Sequence, residues 1–249
     1  MAAPPPAPAV PAAVLTGISP ARLSPYLAAS HGRQHEAFRL YRWNVLMSGA
    51  LHEALHITEV VLRNAMDAQL RLWNATQVDP ASGANHSPDW LVDPSRLLVR
   101  LLQRDLATIR ENAAKAVRRS ADRARPLTHG DHVAQVGFGT WRFLLPPRNP
   151  TSDPGKQRLW DDSLVHAFPH RTRATNQLVD DVDKVHRIRN RVAHLEPVIV
   201  PGQPAAHRIA MQRILADIDP AHAAWLGGAQ RITSVEKHRP SPGHAGQRP

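Results

Sequence analysis

The sequence predicts an all-α fold. Apolar residues recur every three or four positions over long stretches, whereas no stretch of useful length alternates apolar and polar residues as a half-buried strand does. Aromatic residues make up only 5% of the 249 residues, and helical cores tolerate this better than β-sandwiches, which rely on β-branched and aromatic side chains. The short apolar run Val198–Val200 is the one weak strand candidate.

Two long helices are predicted in the first half of the chain. Residues 34–73 carry apolar side chains at helical spacing, and Gly49 marks a point where this helix could bend or split. The positions that step by three or four are Leu51, Leu55, Thr58, Leu62, Met66 and Leu70. Residues 77–94 are rich in proline and glycine and are expected to form a loop. A second helix is expected over Ser95–Arg123. Its apolar face comprises Leu98, Leu101, Leu102, Leu106, Ile109, Ala113 and Val117.

Shorter helices are predicted in the second half. The glycine- and aromatic-containing segment 131–145 and the segment 157–167 each suit a short helix. A longer helix is expected over 172–194, since a proline follows soon after it and one of its faces is apolar. That face comprises Leu178, Val182, Val185, Ile188 and Val192. The last helical stretches are expected at 204–216 and 220–226.

The domain organisation is predicted to be one helical domain, residues 19–234, between two flexible tails. Residues 1–18 are rich in alanine and proline, and residues 235–249 are polar with prolines and glycines. The first residues lack the basic and long apolar regions of a signal peptide, and no run of about 18 apolar residues predicts a membrane span. A cytoplasmic location without membrane association is therefore expected.

The charge balance favours a nucleic-acid partner. The formal net charge is +10, and only four of the 31 basic residues are lysines. A GC-rich genome also favours arginine over lysine codons, but it does not explain the excess of basic over acidic residues. Arginine binds phosphate oxygens in a bidentate manner, so RNA is an expected partner. The absence of cysteine excludes disulfides, thiolate zinc sites and cysteine nucleophiles.

The segment His186–Pro197 contains three candidate catalytic residues: Arg189, Asn190 and His194. On a helix, Asn190 and His194 share a face, whereas Arg189 points about 140° away from His194. Arg189 and His194 therefore meet only if the helix ends before Pro197 or if two copies of the segment face each other. The alternative is a structural helix end whose basic residues interact with the helix dipole.

These three residue types suit RNA cleavage without a metal. Such cleavage needs a base for the ribose 2′-OH, a cation for the charge that develops on phosphorus, and a group that orients the reactants. Histidine acts as a base or an acid near neutral pH, so His194 is the candidate base or acid. Arg189 is the candidate for stabilising the phosphate, and Asn190 for orienting His194 or the phosphate.

Four segments together resemble the Abi-like (abortive-infection) family of bacterial proteins. They are Tyr41–Asn44, Glu59–Asn64, Phe138–Phe143 and Arg189–Pro197, and they occur in the order and approximate spacing of that family over residues 20–215. The family is similar to HEPN-domain proteins, helical folds in which an R-x4-6-H motif marks ribonuclease activity. Members often work as dimers in which two motifs form one composite cleft.

This resemblance implies a HEPN-like helical bundle that acts as an endoribonuclease in phage defence (abortive infection) or as a toxin. It implies a homodimer, an RNA or protein antitoxin as a further partner, and no cofactor. It also places Glu59, Arg63 and Asn64 at family positions, where they are candidates for RNA binding. Alternatively, Glu59 and Arg63 form a structural ion pair at i, i+4.

Two other functions remain open at this point. A non-catalytic RNA-binding protein would use the basic helix end Arg118–Arg125, which contains Arg118, Arg119, Arg123 and Arg125, together with Arg171 and Arg173; these arginines could equally be a solvated surface. A zinc metalloprotease would use the H-E-x-x-H match of His52, Glu53 and His56. The sequence shows no third ligand at a usual spacing and no protease-like strands, so no metal is expected.

Overall fold

The computed structural model describes residues 12–103 and 105–241, and within these ranges the protein is all-α, as predicted. The described residues form no β-strand, although one isolated β-bridge joins Val78 and Asn85. In the first half, the helices are α1 (Ala12–Ile18), α2 (Pro20–Ala29), α3 (Gln34–Asn74), α4 (Arg96–Leu102), α5 (Asp105–Arg119) and α6 (His129–Val133). In the second half, they are α7 (Phe138–Leu144), α8 (Pro154–Asp162), α9 (Thr175–Ala193), α10 (Gln203–Ile218), α11 (Pro220–Ala229) and α12 (Ile232–Lys237).

The long helices α3 and α9 confirm the periodicity argument. α3 continues through Gly49 without interruption, so the suggested split of the helix there is wrong. The predicted apolar positions of α3 and α9 are buried, because in each helix they form the face that packs on the core. These positions are Leu51, Leu55, Thr58, Leu62, Met66 and Leu70 on α3, and Leu178, Val182, Val185, Ile188 and Val192 on α9.

Other boundaries differ from the predictions. The single helix expected over Ser95–Arg123 is wrong, since α4 ends at Leu102 and α5 begins at Asp105. Its apolar positions keep helical spacing across the interruption, so the sequence carries no sign of it. The two predicted tails are helical in part: α1 lies within residues 1–18, and α12 extends from the predicted domain past residue 235. Residues 1–11 and 242–249 lie outside the described residues. Val198–Val200 forms no strand.

The described residues group into two compact units. The first unit contains residues up to Ala54, Ile188–Ile209 and those from Ala229 onward. The second unit contains Leu55–Arg187 and Ala210–Gly228. α3, α9 and α10 each contribute residues to both units.

The core of the first unit forms around two tyrosines and α3. Tyr26 of α2 is 1% exposed, and its ring meets that of Tyr41 edge to face, with 5.3 Å between centroids. Burial raises the pKa of Tyr26 to about 12. Trp43 and Met47 continue the buried face of α3, so this end of the helix is fixed by aromatic and apolar packing.

In the second unit, a buried asparagine closes the loop between α3 and α4. The Asn74 side chain is fully buried; its Nδ2 donates to the carbonyls of Ser87 (2.7 Å) and Asp93 (2.9 Å). Its Oδ1 accepts from the backbone N–H of Ser95 at 2.9 Å. One side chain therefore satisfies three backbone groups of an irregular segment, which confirms the loop predicted over 77–94.

A histidine between two carboxylates ties the same loop to α6. His129 Nε2 lies 2.8 Å from Asp67 Oδ1, and its Nδ1 lies 2.8 Å from Asp89 Oδ1. Trp90 also donates its indole N–H to Asp67 Oδ1, at 2.8 Å, and packs edge to face on Trp141. Burial alone would lower the pKa of His129, but the hydrogen bonds to the two carboxylates raise it. The imidazolium form therefore fits this position.

α3 also has the length and composition of a membrane-spanning helix, and no other helix of the described residues does. Its most apolar 18-residue window has a mean hydropathy of 1.2, and 39% of that window is buried. The core helix of a soluble protein meets the same criteria. The expectation of no membrane association therefore stays a prediction.

Candidate active site

The three residues predicted to be catalytic lie at the C-terminal end of α9, in the first unit. Asn190 belongs to the last helical turn and Arg189 directly precedes that turn; both are partly buried, whereas His194 is exposed. α9 ends at Ala193, so His194 is the first residue beyond the helix. The helix thus ends before Pro197, which is one of the two conditions under which Arg189 and His194 can approach a common substrate.

The backbone around His194 is closed by a Schellman-type helix end. The N–H of Glu196 donates to the carbonyl of Arg191 at 2.7 Å, and that of Leu195 donates to Val192 at 3.1 Å. Leu195 adopts φ 57°, a left-handed conformation that is unfavourable for a side chain with a Cβ. His194 therefore precedes a strained residue, a feature that often marks functional sites.

Arg191 and Asn44 fix the segment that follows His194. Arg191 donates from Nη2 to the carbonyl of Pro197 at 2.6 Å, and its Nε lies 3.5 Å from the Glu196 carboxylate. The buried Asn44 of α3 accepts the N–H of the buried Val198 at 2.7 Å. Together these contacts hold the chain on the C-terminal side of the candidate imidazole.

Trp43, beside Asn44, anchors the last described helix. Its indole N–H donates to the carbonyl of Val235 at 2.8 Å. The Arg239 guanidinium lies 4.7 Å from the Trp43 ring and donates to the carbonyl of Ile199. Burial lowers the pKa of Arg239 from its ordinary high value. The segment Tyr41–Asn44 therefore has a structural role in the first unit.

The other predicted site residues lie in the second unit. Glu59 and Arg63 are partly buried on α3 and stand one turn apart, and Asn64 is exposed. Arg63 Nε is buried and has no hydrogen-bond partner among the described residues. The roles of Glu59, Arg63 and Asn64 in RNA binding stay predictions.

The arginines that the sequence suggested for RNA binding differ in their exposure. Arg118, Arg119 and Arg123 are exposed at and just beyond the end of α5, as a nucleic-acid surface requires. Arg173 is not part of such a surface: its side chain is 17% exposed and pairs with Asp181 (2.5 Å) and Asp217 (2.7 Å). Burial opposes the charge of Arg173, but the hydrogen bonds to the two carboxylates raise its pKa. The suggestion that Arg173 binds RNA is therefore wrong.

The H-E-x-x-H alternative gains no support from the geometry. His52, Glu53 and His56 are exposed on α3, but both Glu53 oxygens bind Arg231, at 2.5 and 2.9 Å. This hydrogen bonding lowers the pKa of Glu53, whereas a metalloprotease needs this carboxylate as a free general base. Among the described residues, no group of three or more histidine, aspartate or glutamate side chains is placed to hold a metal ion.

Sequence reasoning missed the positioning residues of this site. Arg191 lies within the quoted motif, but its bond to Pro197 depends on how the chain turns after the helix. The contact of Asn44 joins residues 154 positions apart, and no local pattern predicts such a pair. The sequence did offer one sign of this contact: Asn44 lies on an otherwise apolar face of its helix, and a buried amide needs hydrogen-bond partners.

Comparison with known proteins adds no further information: no family model matches the chain, and no curated protein or solved structure matches it. The resemblance to the Abi-like family therefore stays a prediction from the four sequence segments.

Proposed function

We propose that the protein is a metal-independent endoribonuclease with a HEPN-like bundle, acting in phage defence or as a toxin. One observation supports this most directly: the imidazole of His194 is exposed at a fixed helix end, one turn after the partly buried Asn190 and Arg189. A base or acid that must reach a bulky polymer needs exposure, and a helix end held by hydrogen bonds gives it a defined position.

The proposed reaction is an internal transesterification of RNA. His194 removes the proton of a ribose 2′-OH, and the 2′-oxygen attacks the adjacent phosphorus while the bond to the 5′-oxygen breaks. Arg189 stabilises the negative charge that develops on the phosphate oxygens, and Asn190 orients the reactants. The departing 5′-oxygen takes a proton from the imidazolium of a second copy in a homodimer. The products are a 2′,3′-cyclic phosphate and a 5′-hydroxyl.

Substitution of the motif tests the proposal. We expect Arg189→Ala and His194→Ala each to lower RNA cleavage by at least about 100-fold and to abolish growth toxicity. Both variants should keep the wild-type helical circular dichroism. His35→Ala is the matched control, because His35 is an exposed histidine of the first unit outside the motif. Cleavage that survives in both motif variants would reject the assignment.

Chelation separates this proposal from a metal-dependent hydrolase. EDTA should leave the cleavage rate unchanged, because no step of the proposed reaction uses a metal. Loss of activity in EDTA, with recovery on addition of zinc, would favour the metal alternative instead.

RNA binding without cleavage is the second candidate, and the exposure of Arg118, Arg119 and Arg123 at the end of α5 favours it. These three cations can contact phosphates whether or not the motif is catalytic. RNA that binds the wild type but is never cleaved, with binding lost when all three arginines become glutamine, would support this alternative.

A further inference from the structure

A pocket of about 530 Å³ opens in the second unit, where α4 meets the loop after α3 and the helix α8. Its volume lies in the range of small-molecule sites, roughly 300–1,000 Å³. The residues that line it include Ser95, Arg96, Arg100, Arg158, Val78 and Val99. None of the residues predicted to be catalytic or to bind RNA is among them, so the pocket is separate from the proposed ribonuclease motif.

The charge of the pocket is positive. Three of its lining residues are arginines, and none of the described residues that line it is acidic. Arg100 and Arg158 have carboxylate neighbours: Arg100 Nη2 lies 3.5 Å from Asp153 and Arg158 Nε lies 3.1 Å from Asp162. Both arginine side chains are more than half exposed, at 54% and 65%. Their guanidinium groups can therefore also bind an anion from solvent.

A buried hydroxyl at the pocket lacks a partner. Ser95 is only 3% exposed, and its Oγ has no hydrogen-bond partner among the described residues. Ser95 precedes α4, but its side chain does not cap the helix. A buried hydroxyl without a partner is rare and unfavourable. A ligand oxygen in the pocket would satisfy it.

Apolar side chains form another part of the wall. Val78 and Val99 line the pocket and are exposed, at 57% and 44%. Valines exposed to water beside arginines provide a surface for a small apolar group that is attached to an anion. A bare inorganic anion would leave this surface uncovered.

We propose that this pocket binds a small organic phosphate. The guanidinium groups of Arg96, Arg100 and Arg158 bind the phosphate oxygens, and the Ser95 hydroxyl donates to one of them. The apolar part of the ligand packs against Val78 and Val99. The proposal does not depend on the ribonuclease activity, because it uses other residues and another chemistry.

Calorimetric titration of the full chain with phenyl phosphate tests the proposal. We expect saturable binding of one molecule per chain. Ser95→Ala and Arg96→Gln should each weaken binding by about tenfold. Inorganic phosphate should bind about tenfold more weakly than phenyl phosphate, because it makes no contact with the valines. Ser95→Ala removes a hydroxyl that makes no hydrogen bond, so the variant should keep the wild-type melting temperature.

Arg213→Gln is the control, since Arg213 is an exposed arginine of the same unit that does not line the pocket. Several outcomes would overturn the proposal: no binding of phenyl phosphate, equal loss in the control variant, or equal affinity for inorganic phosphate. Binding of an oligoribonucleotide, but not of phenyl phosphate, that is sensitive to Arg96→Gln would overturn it too, because the arginines would then belong to an RNA-binding surface.

Discussion

At the imidazole of His129, the protonation state decides how many hydrogen bonds one residue donates in the folded protein. Both ring nitrogens face carboxylate oxygens, those of Asp67 and Asp89. A neutral imidazole has one N–H and one lone pair, so it can donate to only one of them. The imidazolium form can donate to both, which is why its pKa is raised in the folded protein despite burial.

We predict that His129 stabilises the fold less at alkaline pH. Its contribution is full below the unfolded pKa of about 6.5 and is lost as the pH rises through the higher folded pKa. Urea unfolding at about pH 6 and about pH 9 should show a loss of stability in the wild type and a smaller loss in His129→Gln. An equal loss in both proteins would contradict this role.

The strain at Leu195 gives a second prediction at this scale. Leu195 is 66% exposed and has φ 57°, so glycine would relieve strain and lose little burial. Leu195→Gly should raise the free energy of unfolding by up to about 1 kcal/mol. Ala193→Gly, two residues earlier in the helix, should instead lower it by up to about 1 kcal/mol. Destabilisation by both substitutions would show that the side chain of Leu195 contributes contacts that outweigh the strain.

At the scale of elements, the loop between α3 and α4 depends on one amide. Asn74→Ala would leave the N–H of Ser95 and the carbonyls of Ser87 and Asp93 without this partner. We expect a loss of about 2–4 kcal/mol in unfolding free energy, measured by chemical denaturation. Asn112→Ala on the exposed face of α5 should change stability by less than about 0.5 kcal/mol. A small effect at Asn74 would mean that the loop is held by other contacts.

The helices show which structural features the sequence could predict. Burial follows the three-to-four spacing of apolar residues in α3 and α9, because a helix on a core buries one face. The interruption between Leu102 and Asp105 was not predictable, since the apolar positions keep helical spacing across it. The helix α1 lies in an alanine- and proline-rich segment whose composition favoured an irregular tail.

The candidate site was predictable to a similar degree. Pro197 correctly indicated that α9 ends near His194, and the C-terminal ends of the predicted and observed helix differ by one residue. The hydrogen bonds of Asn44 and Trp43 to residues far along the chain were not predictable, because they depend on tertiary structure. Arg173 could not be recognised as structural for the same reason: Asp217, one of its partners, comes 44 residues later.

At the scale of the whole molecule, the net charge of +10 predicts salt-sensitive binding to RNA. Converting Arg118, Arg119 and Arg123 together to glutamine should lower the affinity for single-stranded RNA. It should also reduce the slope of log K against log salt by about 2, which is the contribution expected from three phosphate contacts. A salt titration of both proteins by fluorescence anisotropy measures this, and an unchanged slope would place the phosphate contacts elsewhere.

Cleavage of a defined oligoribonucleotide in EDTA tests the proposed chemistry most directly, with a 2′-deoxy version of the same oligonucleotide as the control. We predict that the wild type cleaves the RNA to a 2′,3′-cyclic phosphate, leaves the 2′-deoxy version intact, and loses this activity on His194→Ala. Cleavage of the 2′-deoxy version, or full activity of His194→Ala in EDTA, would contradict the assignment of His194 as the group that activates the 2′-hydroxyl.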